Sequence, residues 1–229
     1  MKHIKNLLPT LSLAVDLSKN ADAKRCVVLS PNLQLRVNAL LSSHSSVESF
    51  MQVMNPAMQL ACAEHVERAH FGTAPTLLTL RCAYHDNAAS TWILPQLYDL
   101  GEYCGAKDKL DKEQMQQLAR IIVQDFGFLK VTEVMLFLYR LKAGRYGRFY
   151  GAIDPMMIMM ALRHDFMRER AAAIDRHENA QRDAEWEAHC REVARERAEA
   201  RAAGRPMYPR PVTTPPAHEM PKRNQIRST

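Results

Sequence analysis

The sequence predicts a mainly α protein: a compact multi-helix domain with a long, projecting, charged C-terminal helix and a disordered tail. Three observations carry this. Between Ala74 and Ile174 apolar residues recur at three- and four-residue spacing, the period of one helix face. Asn, Asp, Thr, Pro and Gly punctuate the same stretch where helices would start and stop. From Asp175 the composition turns to Ala, Glu and Arg, and from Arg205 to Pro and basic residues. Four segments follow: a partly helical and ambiguous region 1–73, a helical core domain 74–174, a projecting charged helix 175–204, and a basic, Pro-rich tail 205–229.

The N-terminal region has mixed signals. "RCVVLSPNL" (Arg25–Leu33) suits a short strand before Pro31, and "LQLRVNALL" (Leu33–Leu41) suits either a strand or a helix. "SSHSS" is a loop by composition, and "SVESFMQVM" (Ser46–Met54) a short helix. The region therefore adds a helix pair or a small sheet. In "NPAMQLACAEHVERAHFG", Asn55 caps a helix, Pro56 takes its first position and Gly72 stops it.

The helical signals then become regular. One helix starts at Thr76 and ends near Asp86. The next places Trp92, Leu97 and Leu100 near one face and stops at Gly105; Pro95 asks that it begin close before that residue. In "LDKEQMQQLARIIVQDFG", Asp111 and Gln114 form a capping box. Met115, Leu118, Ile121, Ile122 and Phe126 make the apolar stripe, and Gly127 ends it. In "KVTEVMLFLYRLKAG", Thr132 is the natural cap, and Met135, Leu136, Leu138, Tyr139 and Leu141 are core candidates. Asp154 and Pro155 start the last helix. Its residues Met156, Met157, Ile158, Met159, Met160 and Leu162 are apolar almost all round, which predicts burial of its first turns. Continuous to Ala203, it would be roughly 75 Å long.

Composition narrows the function. The chain has 229 residues, 47% of them hydrophobic, and a net charge of +6. No apolar stretch reaches the roughly 20 residues of a membrane span. The apolar run near the N-terminus is broken by Pro9 and lacks a small-residue cleavage site, so it reads as mature protein. Cys26, Cys62, Cys82, Cys104 and Cys190 are odd in number and scattered, which points to a reducing cytoplasm. Cys62 with His65 and Cys82 with His85 would share helix faces, but the loops of zinc modules are missing, and neither metal nor cofactor is expected. No phosphate-loop or nucleophile-elbow pattern occurs, so the expectation is a protein that is not an enzyme.

One stretch stands out: "RLKAGRYGRFYG", Arg140–Gly151. Arg140, Lys142, Arg145 and Arg148 have no acid between them, and Tyr146, Phe149 and Tyr150 interleave with them. One reading is a nucleic-acid interface. The four cations meet phosphates, and Tyr146 or Tyr150 stacks on a base. The other is a structural corner, in which the aromatics plug the core and Gly147 and Gly151 make the bend. The charged helix Arg163–Gly204 has two readings of its own, a solvated face or a partner-binding arm with Trp186 as its anchor. Its apolar positions, Ile174, Trp186 and Val193, do not sustain the heptads of a strong coiled coil.

"LARIIVQDF", "LKVTEVMLFLYRLKAGRYGRFYGAIDPMMIMMAL" and "FMRER" together resemble a domain family of unknown function from phages and conjugative elements of gut bacteria, over about Ala74–Arg170. The resemblance implies a mobile-element origin and a cytoplasmic bacterial protein. The expected function is a non-enzymatic, DNA-associated accessory protein of a mobile genetic element, acting in replication or in loading another protein onto DNA. Its partners would be DNA and, through the long helix, another replication or mobile-element protein. The alternative is a protein–protein adaptor without nucleic-acid contact.

Overall fold

Ser30 accepts the amide of Leu33, and Pro31 takes the first helical position, so the chain enters a helix at once. The computed structural model describes residues 30–105, 108–149 and 152–204. The strand considered at Arg25–Leu29 and the tail 205–229 lie outside them. The elements are α1 (Pro31–Ser43), α2 (Val47–Val53), α3 (Met58–Glu64), α4 (Val66–Phe71), α5 (Leu77–Ala83), α6 (Ala88–Cys104), α7 (Lys112–Phe126) and α8 (Val131–Lys142). Then α9 (Pro155–Met160) runs through a π-helical turn, Ala161–Phe166, into α10 (Met167–Ala202). Among the described residues there is no strand; isolated bridges join Thr76 to Lys130 and Asp108 to Ala152.

The chain divides into two units, Met1–Ile174 and Asp175–Thr229. In the first, α8 is the central helix. Val131, Val134, Met135, Leu136, Phe137, Leu138 and Leu141 are all buried on it. It packs against α3, α4, α6 and the π-helical turn, while α6 also carries α5 and α7, and α5 carries α1. Trp92, Phe50, Phe137 and Phe166 are the largest fully buried side chains. Each stabilises the fold by roughly 1.5–3 kcal/mol relative to exposure. Phe50 and Cys62 join the same core as Phe166, so one core runs through residues 30–73 and 74–174 alike.

Several elements differ from their sequence reading. The helix expected from Asn55 to Gly72 is two helices, α3 and α4, broken at His65. Asn55 closes a turn by accepting the Ala57 amide, and the helix starts beyond it. Distant residues hold α4: the Thr132 hydroxyl donates to the Ala69 carbonyl, and Lys130 Nζ donates to the carbonyls of His70 and Gly72. That contact also explains why Thr132 is not the cap of α8. The cap is Lys130, whose amide donates to Glu133. Pro95 sits inside α6, well after its start at Ala88. Burial of Trp92, Ile93, Leu97 and Leu100 around it outweighs the hydrogen bond that Pro95 cannot make. In α9 only Ile158 is buried, and Met156 and Met160 are exposed. The helix lies on the core by one face, with Met157 and Met159 half-buried and Met156 and Met160 turned outward.

In the second unit, the part of α10 from Asp175 to Ala202 buries no residue. Ion pairs one turn apart, Arg191 with Glu187 and Arg195 with Glu199, lace its surface. No helix among the described residues is long and apolar enough to cross a membrane.

Candidate functional site: a basic turn and a basic groove

The turn after α8 is built on two left-handed glycines, Gly144 (φ 73°) and Gly147 (φ 113°). A Cβ on Gly147 would also stand 2.9 Å from Met157 Cε. Beneath the turn runs a column of rings. Tyr146 stacks on Phe137 with centroids 5.7 Å apart, Phe137 meets Phe166 edge-on at 5.6 Å, and His70 stacks on Phe166 at 6.0 Å. An acid closes each end of the column.

At the turn end the acid is Glu169. Its carboxylate accepts from Arg140 Nη1 at 2.7 Å, from Arg145 Nε at 2.7 Å and from the Tyr146 hydroxyl at 2.9 Å. Burial, reinforced by Glu169, pushes the Tyr146 phenol well above its ordinary range, so it stays a donor. At the other end Glu133 accepts from Arg170 Nε at 2.8 Å and the Lys130 amide at 2.9 Å, and lies 3.0 Å from His70 Nδ1. Burial alone would raise the Glu133 carboxyl. The hydrogen bonds from His70, the Lys130 amide and Arg170 outweigh it and hold the group below its ordinary value. Consecutive residues of α10, Glu169 and Arg170, thus fasten the two ends.

The predicted site residues are therefore not equivalent. Arg140 and Arg145 are joined on Glu169. Lys142 pairs with Asp99 of α6 and lies over the Tyr103 ring. Tyr146 is half-buried in the column. Arg148 is exposed, and among the described residues it has no ion pair. Tyr150 and Gly151 lie outside the described residues. Trp186 is exposed on α10, beside His189. Sequence reasoning missed Glu169, Asp99 and His70. Glu169 is 24 positions from Arg145, and only its place in "FMRER" drew attention to it.

The cysteine–histidine pairs do not gather. Cys62 is buried with its Sγ 3.8 Å from Met135 Sδ, and burial pushes its thiol up, whereas His65 is exposed. Among the described residues no three His, Cys, Asp or Glu side chains stand close enough together to hold a metal ion.

A second basic place was not foreseen. Between α1 on one side and α3–α4 on the other lies a groove of about 830 Å³. Leu35, Leu40, Met58 and Cys62 line it, with Arg36, Arg68 and Lys130 around them, and none of its lining residues is Asp or Glu.

Residues 109–197 match the model of a family of unknown function, DUF6633. The match takes in α7, α8, the turn and most of α10, so Glu133, the paired arginines and Glu169 all fall inside it. The groove's α1, α3 and α4 fall outside it. No curated protein and no solved structure matches the chain.

Proposed function

We propose that the protein is a non-enzymatic protein–protein adaptor. The observation that carries this is the state of the turn's cations: Arg140 and Arg145 are held by Glu169, and Lys142 by Asp99. A phosphate would have to compete with carboxylates already in place, so the turn offers a fixed shape more than free charge. The scattered cysteines support a cytoplasmic setting, and the resemblance to phage and conjugative-element proteins supports a mobile-element one.

A second reading, a DNA-associated accessory protein in replication or protein loading, is favoured by Arg148. It is exposed, and Arg145 beside it is half exposed despite its pairing. The test separates the two. Arg205, Arg210, Lys222, Arg223 and Arg227 are changed to Gln to remove the basic tail, and single- and double-stranded oligonucleotides are titrated at low salt. The adaptor reading expects no binding. Binding whose salt dependence falls by up to about two units of slope in Arg145→Ala/Arg148→Ala, at roughly 0.9 per phosphate contact, would establish the DNA reading instead.

A further inference from the structure

We infer that the groove between α1 and α3–α4 receives an acidic amphipathic helix of a partner protein. The inference rests on the adaptor reading and supplies its site and partner chemistry. The walls are apolar and reachable. Leu35 is 67% exposed and Met58 38% exposed, while Leu40 and Cys62 form the buried floor. Wall helix α1 has 13 residues, so it runs about 20 Å, enough to lie along a helix of three or four turns. An apolar groove between helices takes such a partner through side chains at i, i+3, i+4 and i+7.

Charge selects the occupant. Arg36 and Arg68 are exposed at the groove, and neither has an ion pair among the described residues. Lys130 adds a third cation, its Nζ held by the carbonyls of His70 and Gly72. Burial draws Lys130 below its ordinary value, and Arg36 and Arg170 push the same way against the pull of Glu133. Arg36 and Lys130 thus repel each other, and a carboxylate arriving from outside would relieve them.

Two other occupants fit less well. The chain's own residues 1–29 hold five Lys/Arg against two Asp and no Glu, so their charge matches the sign of the groove. A nucleic acid would need open aromatic faces for its bases, but of the lining phenylalanines Phe50 is fully buried and Phe71 half-buried, and the exposed apolar wall residues Leu35 and Met58 have no ring.

The test uses the full chain and a fluorescein-labelled helical peptide of about 15 residues, with Leu at i, i+3, i+4 and i+7 and Glu on the flanks. A second peptide replaces every Glu with Lys. The Glu peptide is expected to bind roughly tenfold more tightly than the Lys peptide. Arg36→Glu/Arg68→Glu should reverse that order, and Leu35→Asp should weaken both. All three changes fall at exposed positions, and an unchanged thermal midpoint checks that each variant folds. The proposal is overturned if neither peptide binds, if both bind alike, or if charge reversal leaves the order unchanged. Displacement of the Glu peptide by a peptide of residues 1–29 would assign the groove to the chain's own start. Displacement by a single-stranded oligonucleotide would assign it to nucleic acid. A failure here with no oligonucleotide binding in the tail-neutralised chain leaves the adaptor reading standing and removes only this site.

Discussion

The turn after α8 and the groove beside α1 both gather cations, and most of those at the turn are paired while Arg36 and Arg68 at the groove are not. At the turn, Arg140, Lys142 and Arg145 are matched by Glu169 and Asp99. At the groove, Arg36 and Arg68 face solvent with no acid among the lining residues. The turn's cations follow one another within nine residues of sequence, from Arg140 to Arg148. The groove's come from α1, α4 and the start of α8. Density of charge along a chain is thus a poor guide to charge available for binding. Folding brings acids to three of the four cations in the dense run and leaves Arg148 exposed. Of the groove's cations, Arg36 and Arg68 reach it without such partners among the described residues.

The largest effect expected from this contrast is at the acids that satisfy cations. Replacing Glu133 with Ala strands Arg170 and leaves His70 without its acceptor at a site only 1% exposed. A loss of about 3–5 kcal/mol is expected, read by chemical denaturation. The same group makes stability depend on pH. Its folded value lies below the unfolded one, which is about 4.3. Its contribution is therefore complete above that pH and is lost as pH falls through the folded value. Glu133→Gln should flatten the acid limb of the stability curve; an unchanged limb would mean that other carboxylates govern it.

Glu169→Ala comes next, at about 2 kcal/mol. It leaves the mostly buried Arg140 and the Tyr146 hydroxyl without an acceptor. If it costs no more than a surface substitution, the turn's cations are not structurally matched, and the contrast with the groove collapses.

Gly147→Val should cost about 1–2 kcal/mol or more, because φ is positive and the new Cβ meets Met157. Adding Met157→Ala should recover only the steric part. Full recovery would show that the backbone at Gly147 carries no strain.

The smallest effects belong to the unmatched cations. Arg36→Ala, Arg68→Ala and Arg148→Ala should each change stability by no more than about 0.5 kcal/mol. A larger loss at Arg36 or Arg68 would reveal a structural role and weaken the groove as a binding site.

Much of the scaffold was legible because its signals are local. Asp111 with Gln114, Thr76, and Asp154 with Pro155 each start a helix where the sequence says they should, since a cap needs only the first turn. Gly147 bends the turn as its residue type allows. The candidate site was half legible. "GRYGRF" announced itself, yet whether its arginines were outward or paired depended on Glu169, more than twenty positions away. The groove was not legible at all, because Leu35 lay in a stretch that suited strand or helix alike, and Met58 read as one more apolar helix position, until α1 and α3 stood across from each other.

The sequence by itself determined a helical protein, the starts of several of its helices, the glycine turn and the charged character of the helix beyond Ile174. These follow from the periodicity and capping chemistry of neighbouring residues. Tertiary structure alone decided the break at His65, the survival of α6 across Pro95, the pairing of Arg140 and Arg145 with Glu169, and the unmatched cations of the groove. Each of these is a contact between residues far apart in the chain, and its energy exists only once packing has brought them together.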